Sequence, residues 1–442
     1  MASASATSAT SGTSTIGATS TAGTPNAAPG GEQCRAKLVA ALRRIWEREW
    51  ALPSSGPGAR AAASKVGILL SGGVDSAAVL EAFVQALGGL RPAVALTVLC
   101  DSSATDRPYS AAIAAQHAPH GLRHVTIECA AQELLGAPLD LCVRALGTFD
   151  GMELRNSVVV ARALGEAKRL GLEYVLTGDA ADELLGGYSF SWSAPEPAWS
   201  LKRKELCAGW FFSAPVLAKA LGLKLVSPFL DPDFVQWALT QGKAACVGEL
   251  ELEARPGDPR ERRLTGKLPL RAAFPESLSA RRRKDPIEVG SGSALLGANE
   301  GKFFENIIPS NEYAKEKARV AQDYRVVVRN AEHLYYLRRF LQAFPGALDS
   351  RVGAAGAAGA TAPRTSAPAL YDVLPPRPAV VIIGGGGGGG SNSSTTNNNN
   401  NKQLLDEACI ACYFQLSSPT ASFCRVCGAW PARRPSTSGP LA

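Results

Sequence analysis

Two short strings and one cysteine quartet contain residue types that can do chemistry. Ser71-Gly72-Gly73-Val74-Asp75-Ser76 follows the apolar run Val66–Leu70 and precedes the apolar run Ala77–Leu87. Paired glycines let a backbone bend tightly around an anion. N–H groups at a helix start lack internal partners and carry partial positive charge. Ser71 and Ser76 add hydroxyl donors, so the string reads as an anion cradle. Asp75 fits such a cradle if a cation, Mg²⁺ being the natural one, lies between its carboxylate and a bound polyphosphate. The competing reading is a glycine turn capped by Asp and Ser. The second string is Thr177-Gly178-Asp179-Ala180-Ala181-Asp182-Glu183-Leu184-Leu185-Gly186-Gly187-Tyr188. Three carboxylates within five residues at a strand end are costly unless a cation meets them. A metal ion or a substrate ammonium would serve; the competing reading is an acidic helix cap. Finally, Cys409-x2-Cys412-x11-Cys424-x2-Cys427 is a pair of CxxC knuckles at zinc-ribbon spacing. Four thiolates suit tetrahedral Zn²⁺, and the metal would supply folding energy that so short a tail lacks. Phe414 and Trp430 could cover a minimal core, and a CxxC disulfide is the alternative.

The elements that must position these groups follow from periodicity. Residues 33–50 read as a helix with Leu38, Leu42, Ile45 and Trp46 on one face. Short apolar runs at Val66–Leu70, Ala93–Leu99, His124–Ile127 and Tyr174–Thr177 read as strands. Helical stretches at 77–87, 111–116 and 158–170 separate them. This alternation predicts an α/β fold, a doubly wound and mostly parallel sheet. Right-handed crossovers put the strand ends, and with them both strings, on one edge. Residues 200–350 are helical by pattern, and no internal repeat is visible.

Composition bounds the rest. Of 442 residues, residues 1–31 carry almost no charge, and residues 352–401 include seven consecutive glycines and five consecutive asparagines. Such segments bury too little apolar surface to order themselves. The chain therefore divides into a disordered leader (1–31), a globular body (32–351), a disordered linker (352–401) and a tail (402–442). The polar linker makes the tail a tethered module, expected to bind a protein or RNA. Hydrophobic residues at 46% and charged residues at 19% describe a globular body. No apolar run is long enough to cross a membrane. The net charge of +7 is too mild to imply nucleic acid by itself. His117, His120 and His124 sit in a Pro/Gly-bearing stretch that is weak as a metal site, and His333 reads as packing.

SGGVDS resembles the pyrophosphate loop of the ATP pyrophosphatase superfamily, which cleaves ATP to AMP and pyrophosphate. It differs from a Walker loop. GDAADELLGGY resembles the signature of the asparagine synthetase C-terminal domain, which usually has Gly where this chain has Ala180. Ala there would cost about 1 kcal/mol if the backbone needs positive φ. Phe149–Ser157, with Arg155 placed before a helix, resembles a further family segment, as do Pro228-Phe229-Leu230-Asp231, Lys267-Leu268-Pro269-Leu270-Arg271 and the basic run Arg281–Lys284. The resemblance covers roughly residues 60–300 and carries an adenine nucleotide α-hydrolase-like fold. It implies ATP and Mg²⁺, with Leu70, Ser71, Gly72, Gly73, Asp75, Ser76, Cys100 and Gly178 around ATP and pyrophosphate. Asp75 and Asp182 would hold Mg²⁺. Asp179 and Glu183 would face substrate or amine, and Lys267 would stabilise developing charge. Cys409, Cys412, Cys424 and Cys427 would hold structural zinc.

The implied activity is an amide-forming ligase that activates a carboxylate, by default aspartate, as an acyl-adenylate. Ammonia or another amine would then attack. Residue 2 is Ala2 and only about 60 residues precede the synthetase-like part, so no resident glutaminase domain is expected. Free ammonia or a separate amidotransferase would supply nitrogen. Two alternatives stand: a tRNA-modifying enzyme of the thiolation type, whose relatives also carry CxxC ribbons, and a non-catalytic scaffold. The expected location is cytoplasmic, with a plastid or mitochondrial address as the alternative.

Overall fold

The structure is a computed structural model. It describes residues 30–51, 55–297 and 302–348, and, in the tail, residues 409, 411–412, 414, 416, 421, 423–429 and 432. Trp430 and nearly all of the expected leader and linker lie outside the described residues.

Five strands form one parallel sheet: β1 (Val66–Leu69), β2 (Val94–Leu99), β3 (Arg123–Glu128), β4 (Tyr174–Leu176) and β5 (Lys224–Val226). Their order is β3-β2-β1-β4-β5. Both faces are covered, as βαβ crossovers require. Strand alternation sorts the side chains: Val94, Leu96 and Val98 enter one core, and Ala95, with Val66 and Ile68, enters the other. The first core holds α5 (Ala137–Leu146) and α6 (Gly151–Arg169); the second holds α1 (Gly31–Trp50) and α3 (Val74–Ala86). Helices α2 (Pro57–Ala63), α4 (Asp106–His117) and α7 (Ala181–Leu185) complete the sheet-bearing half. Trp46 anchors α1, fully buried and edge-on to Phe83 with ring centroids 6.1 Å apart. No described helix is long and apolar enough to cross a membrane.

The expected alternation is present, and the doubly wound α/β class holds. Three local readings change. First, β5 and an antiparallel hairpin of β6 (Gly248–Leu252) and β7 (Glu261–Thr265) lie within the stretch read as helical. The hairpin's charges face solvent as pairs such as Glu249–Arg262, at 2.7 Å, and such charge spacing reads equally well as a helix surface. Second, α6 begins at Gly151, capped by Asp150, so Arg155 lies inside the helix rather than before it. There it pairs with buried Glu332 at 2.6 Å.

Third, the tail residues pack on the body and share its first core. Phe149 N–H donates to Val426 O at 2.8 Å, and Thr148 Oγ1 to Arg425 O at 2.7 Å. Val327 N–H donates to Ala411 O at 3.1 Å, and Arg329 donates to the carbonyls of Cys427 and Gly428. The tail is thus docked across several body segments. A linker's composition says nothing about where its far end binds, and here the described tail residues meet the body.

Candidate active site

In an open parallel sheet, ligands bind beyond the carboxyl ends of the strands, where the strand order reverses direction. Here that switch lies between β1 and β4, neighbours paired from Val66↔Tyr174 to Ile68↔Leu176. The turn after β1 is Leu70–Gly73, and the turn after β4 is Thr177–Ala180. Both strings therefore meet at the switch point.

The first turn is held from behind. Leu70 N–H donates to Leu96 O at 2.9 Å, and Thr97 Oγ1 donates to Leu70 O at 2.6 Å. His124 Nε2 lies 2.9 Å from the same Thr97 oxygen. Gly72 has φ 75°, and a Cβ there would lie 2.6 Å from Ser110 N and Tyr109 Cβ, so only glycine fits. Ser71 Oγ accepts from Gly73 N–H at 3.2 Å and lies 3.3 Å from Ser76 Oγ. Arg282 donates to Ser71 O at 2.8 Å and pairs with Asp106 at 2.6 Å.

The two turns touch closely. A Cβ on Gly178 would lie 2.7 Å from Asp75 Cβ. Ala180 has φ 77°, the left-handed conformation that the family's glycine would adopt. The Ala substitution leaves the turn intact, with the strain that an L side chain carries there.

A buried ammonium joins the carboxylates. Lys267 Nζ lies 2.5 Å from Asp75 Oδ2 and 2.8 Å from Asp182 Oδ1. Its side chain is only 4% exposed, which disposes of a solvated surface lysine. Burial would lower its pKa, but Asp182 and Asp75 outweigh burial and raise it, so Lys267 stays charged. Burial raises Asp182, but Lys267 and Lys284 together hold it down at about 2. Lys267 sits at φ 63°, and Arg271 braces the adjoining turn by donating to Gly266 O at 3.2 Å. Lys284 reaches Asp182 and also donates to Gly187 O at 3.2 Å.

Asp179 and Glu183 form a second carboxylate pair. Burial and then the charge on Glu183 push Asp179 up to about 7. Burial also raises Glu183, which accepts from Tyr188 O–H at 2.7 Å. Asp75 Oδ1 and Asp179 Oδ2 are buried without hydrogen-bond partners. Beside the cluster opens a cavity of about 330 Å³ lined by Trp192, Leu252, Arg263, Leu264, Thr265, Arg283 and Lys284.

Thus the structure gathers Ser71, Gly72, Gly73, Asp75, Ser76, Gly178, Asp179, Asp182, Glu183 and Lys267 around one edge. Leu70 is buried behind the turn. Cys100 follows β2 at the same sheet edge, where its N–H donates to Ser291 O at 2.7 Å and its Sγ meets Cys129. The PFLD string is supporting structure: Asp231 caps the helix Pro232–Thr240 and accepts from Arg44. The string's neighbour Ser227 reaches the site, donating to Asp179 O at 2.7 Å. The basic run was expected to bring one or two residues to phosphate, and Arg282 and Lys284 are the two that reach the turns. They alternate within the basic run Arg281–Lys284, but a charge run does not say which members turn inward. The histidines separate: His117 meets Glu81 at 3.1 Å, and His333 stacks on Phe149. His333 is buried as packing, with its pKa lowered to about 3 by burial and Arg329.

The Cys quartet is buried, and its four sulfurs lie within 4.8 Å of one another. Cys409 and Cys427 Sγ are 3.7 Å apart, and Cys412 and Cys424 Sγ are 3.6 Å apart. Tetrahedral zinc with Zn–S near 2.3 Å places sulfurs about 3.8 Å apart. All four thiols are free of disulfides, so this residue set fits zinc.

Fold and site together define a doubly wound α/β domain with a glycine-bearing turn facing an acidic turn at the switch point. Residues 60–214 match the model of the asparagine synthase family. Asparagine synthetase [glutamine-hydrolyzing] 1 of Arabidopsis thaliana is 29% identical over 216 residues, 47% of this chain and 35% of its own. The Brassica oleracea asparagine synthetase [glutamine-hydrolyzing] is 26% identical over 294 residues, 63% of this chain and 48% of its own. Asparagine synthetase [glutamine-hydrolyzing] 1 of Saccharomyces cerevisiae is 26% identical over 227 residues, 48% and 38% respectively. The chain spans about a third to a half of the length of these relatives.

Proposed function

We propose that this chain is an ATP-dependent ligase that activates a carboxylate, aspartate by default, as an acyl-adenylate and passes it to ammonia or another amine. The products would be an amide, AMP and pyrophosphate. The observation that carries this reading is the Asp75–Lys267–Asp182 cluster at the switch point. Ser71, Gly72, Gly73 and Ser76 would bind pyrophosphate through N–H and hydroxyl donors. Asp75 and Asp182 would hold Mg²⁺; the unpartnered buried Asp75 Oδ1 is the open position that suits it. When bound, Mg²⁺ would neutralise charge on the leaving pyrophosphate. Lys267, fixed between two carboxylates, would stabilise charge developing between the α-phosphate and the acyl oxygen. Asp179, held near pKa 7, could accept a proton from an attacking amine.

Nitrogen would come from free ammonia or a separate amidotransferase, in the cytoplasm. Zinc on the Cys quartet would be structural. Docking of the tail onto the body favours this over an RNA-recruiting role, and the charged Lys267 cluster argues against a scaffold.

The test is release of AMP and pyrophosphate from ATP·Mg²⁺ with aspartate, with and without ammonia. Aspartate-dependent AMP, with asparagine only when ammonia is added, is expected, and Asp75→Ala should abolish both. Release of ADP and phosphate instead, or turnover retained by Asp75→Ala, would overturn the assignment.

A further inference from the structure

We propose that Cys100 and Cys129 form a peroxide-sensitive dithiol that closes to a reversible disulfide at the site edge of the sheet. Strands β2 and β3 are parallel and paired from Val94↔Arg123 to Leu99↔Glu128, so Cys100 and Cys129 are the next opposing pair. Cys129 N–H donates to Leu99 O at 3.1 Å, which holds that register past the strand ends. The two sulfurs lie 3.8 Å apart. Adjacent strands run about 4.8 Å apart, inside the roughly 4.4–6.8 Å between α-carbons that a disulfide spans. Closure to about 2.05 Å therefore asks for side-chain rotation and no strand movement.

The chemistry of the two thiols is asymmetric. Cys100 is partly exposed and Cys129 is 8% exposed. The hydrogen bond between the two sulfurs lowers the Cys129 thiol against burial, and nearby Arg162 helps, while Glu133 opposes. That same hydrogen bond raises Cys100, with burial, Glu133 and Asp101 adding to it. Cys129 is thus the more readily ionised thiol of the pair, and Cys100 the one that keeps its proton longer. Burial pushes up the thiols of Cys34, Cys142, Cys207 and Cys246, leaving them inert.

Hydrogen peroxide is the co-reactant. The Cys129 thiolate attacks one peroxide oxygen, the O–O bond breaks, and hydroxide leaves, giving a sulfenic acid. The Cys100 sulfur then attacks the Cys129 sulfur. The S–O bond breaks, and the Cys100 proton leaves with the oxygen as water. With one proton taken up by hydroxide, one thiolate, one thiol and one peroxide give one disulfide and two waters.

The consequence follows from position. Leu96 and Thr97 of β2 hold Leu70 ahead of the Ser71 turn, and Cys100 N–H donates to Ser291 O. A disulfide would fix this strand end against β3. Resting on the proposed nucleotide reading, AMP release should then fall at least fivefold.

The experiment treats the full zinc-loaded chain with hydrogen peroxide, alkylates remaining thiols and maps peptides by mass spectrometry. A Cys100–Cys129 cross-linked peptide, lost with dithiothreitol and absent in Cys129→Ser, is expected. Alkylation of both residues after peroxide, or their separate conversion to sulfinic acids, would overturn the proposal. Cys129→Ser should keep the reduced protein's AMP release and lose its sensitivity to peroxide. Undiminished release from cross-linked protein would overturn the coupling. A cross-link in a protein that never releases AMP would instead overturn the ligase reading and leave the dithiol standing.

Discussion

Replacing Asp179 by Asn should stabilise the protein, and the gain should grow with pH. Asp179 is buried at the contact of the two turns, with Oδ2 unpartnered. Burial and Glu183 raise its pKa from 3.8 to about 7. The folded state therefore binds more protons than the unfolded chain between about pH 4 and 7, and stability falls as pH rises through that window. At pH 5 the unfolded aspartate is already ionised and the folded one is not. By pH 8 both are ionised, and the full penalty of a buried charge is present. The difference between pH 5 and pH 8 amounts to about 2–3 kcal/mol. Asn keeps the shape and cannot ionise. Denaturant melts of wild type and Asp179→Asn at pH 5, 6, 7 and 8 would isolate this group together with its coupling to Glu183 and Asp75, because titrations remote from it are common to both. The wild type should lose about 2–3 kcal/mol relative to the variant across that range. A gap that stays flat with pH, or one that closes as pH rises, would refute the reasoning. If Asp179 also accepts a proton from the amine, the more stable variant should be the less active one, a trade common at strained sites.

Three further outcomes are expected. Lys267→Met should leave Asp75 and Asp182 facing each other with only Lys284 to offset them, destabilising by about 3 kcal/mol; urea melts would show it, and AMP release should vanish. Ala180→Gly should stabilise by about 0.5–1 kcal/mol, because relief of a left-handed Ala, worth roughly 1–2 kcal/mol, exceeds the entropy that Gly adds to the unfolded chain; an unchanged melting temperature would count against the observed turn. Elemental analysis should find about one zinc per chain, and Cys412→Ser should lose zinc and lower the melting temperature of the body, because Thr148, Phe149, Val327 and Arg329 lose their tail carbonyls; an unshifted body transition would show that the docking contributes nothing.

Much of the fold was legible because its cause is local. Val66–Leu69 and Val94–Leu99 are apolar enough to be buried on both faces, and the turn strings state their own geometry through Gly72 and the clustered acids. Lys267 was legible through the string Lys267-Leu268-Pro269-Leu270-Arg271, although nothing local says that it is buried. What escaped is non-local. The β6–β7 hairpin is polar on its exposed face, and its Glu and Arg residues satisfy one another across strands, a pairing that helix spacing imitates. Arg282 and Lys284 reach Ser71 and Asp182 from far along the chain, and that distance carries no periodic signal.

The tail makes the same point at larger scale. Its four cysteines announce a metal site by spacing alone, yet their role in the body depends on which surface receives them. That surface includes Thr148 and Phe149 at the start of α6, the helix whose Arg155 binds Glu332. Gly428 has φ 72° and packs where a Cβ would collide with Asp150, the residue that caps α6. The loop that carries Cys424 and Cys427 therefore packs against the N-terminus of α6, the helix that leads into β4. Since β4 delivers the acidic turn, loss of zinc should be felt at Asp179 and Asp182 through α6, with no contact between the sulfurs and the site.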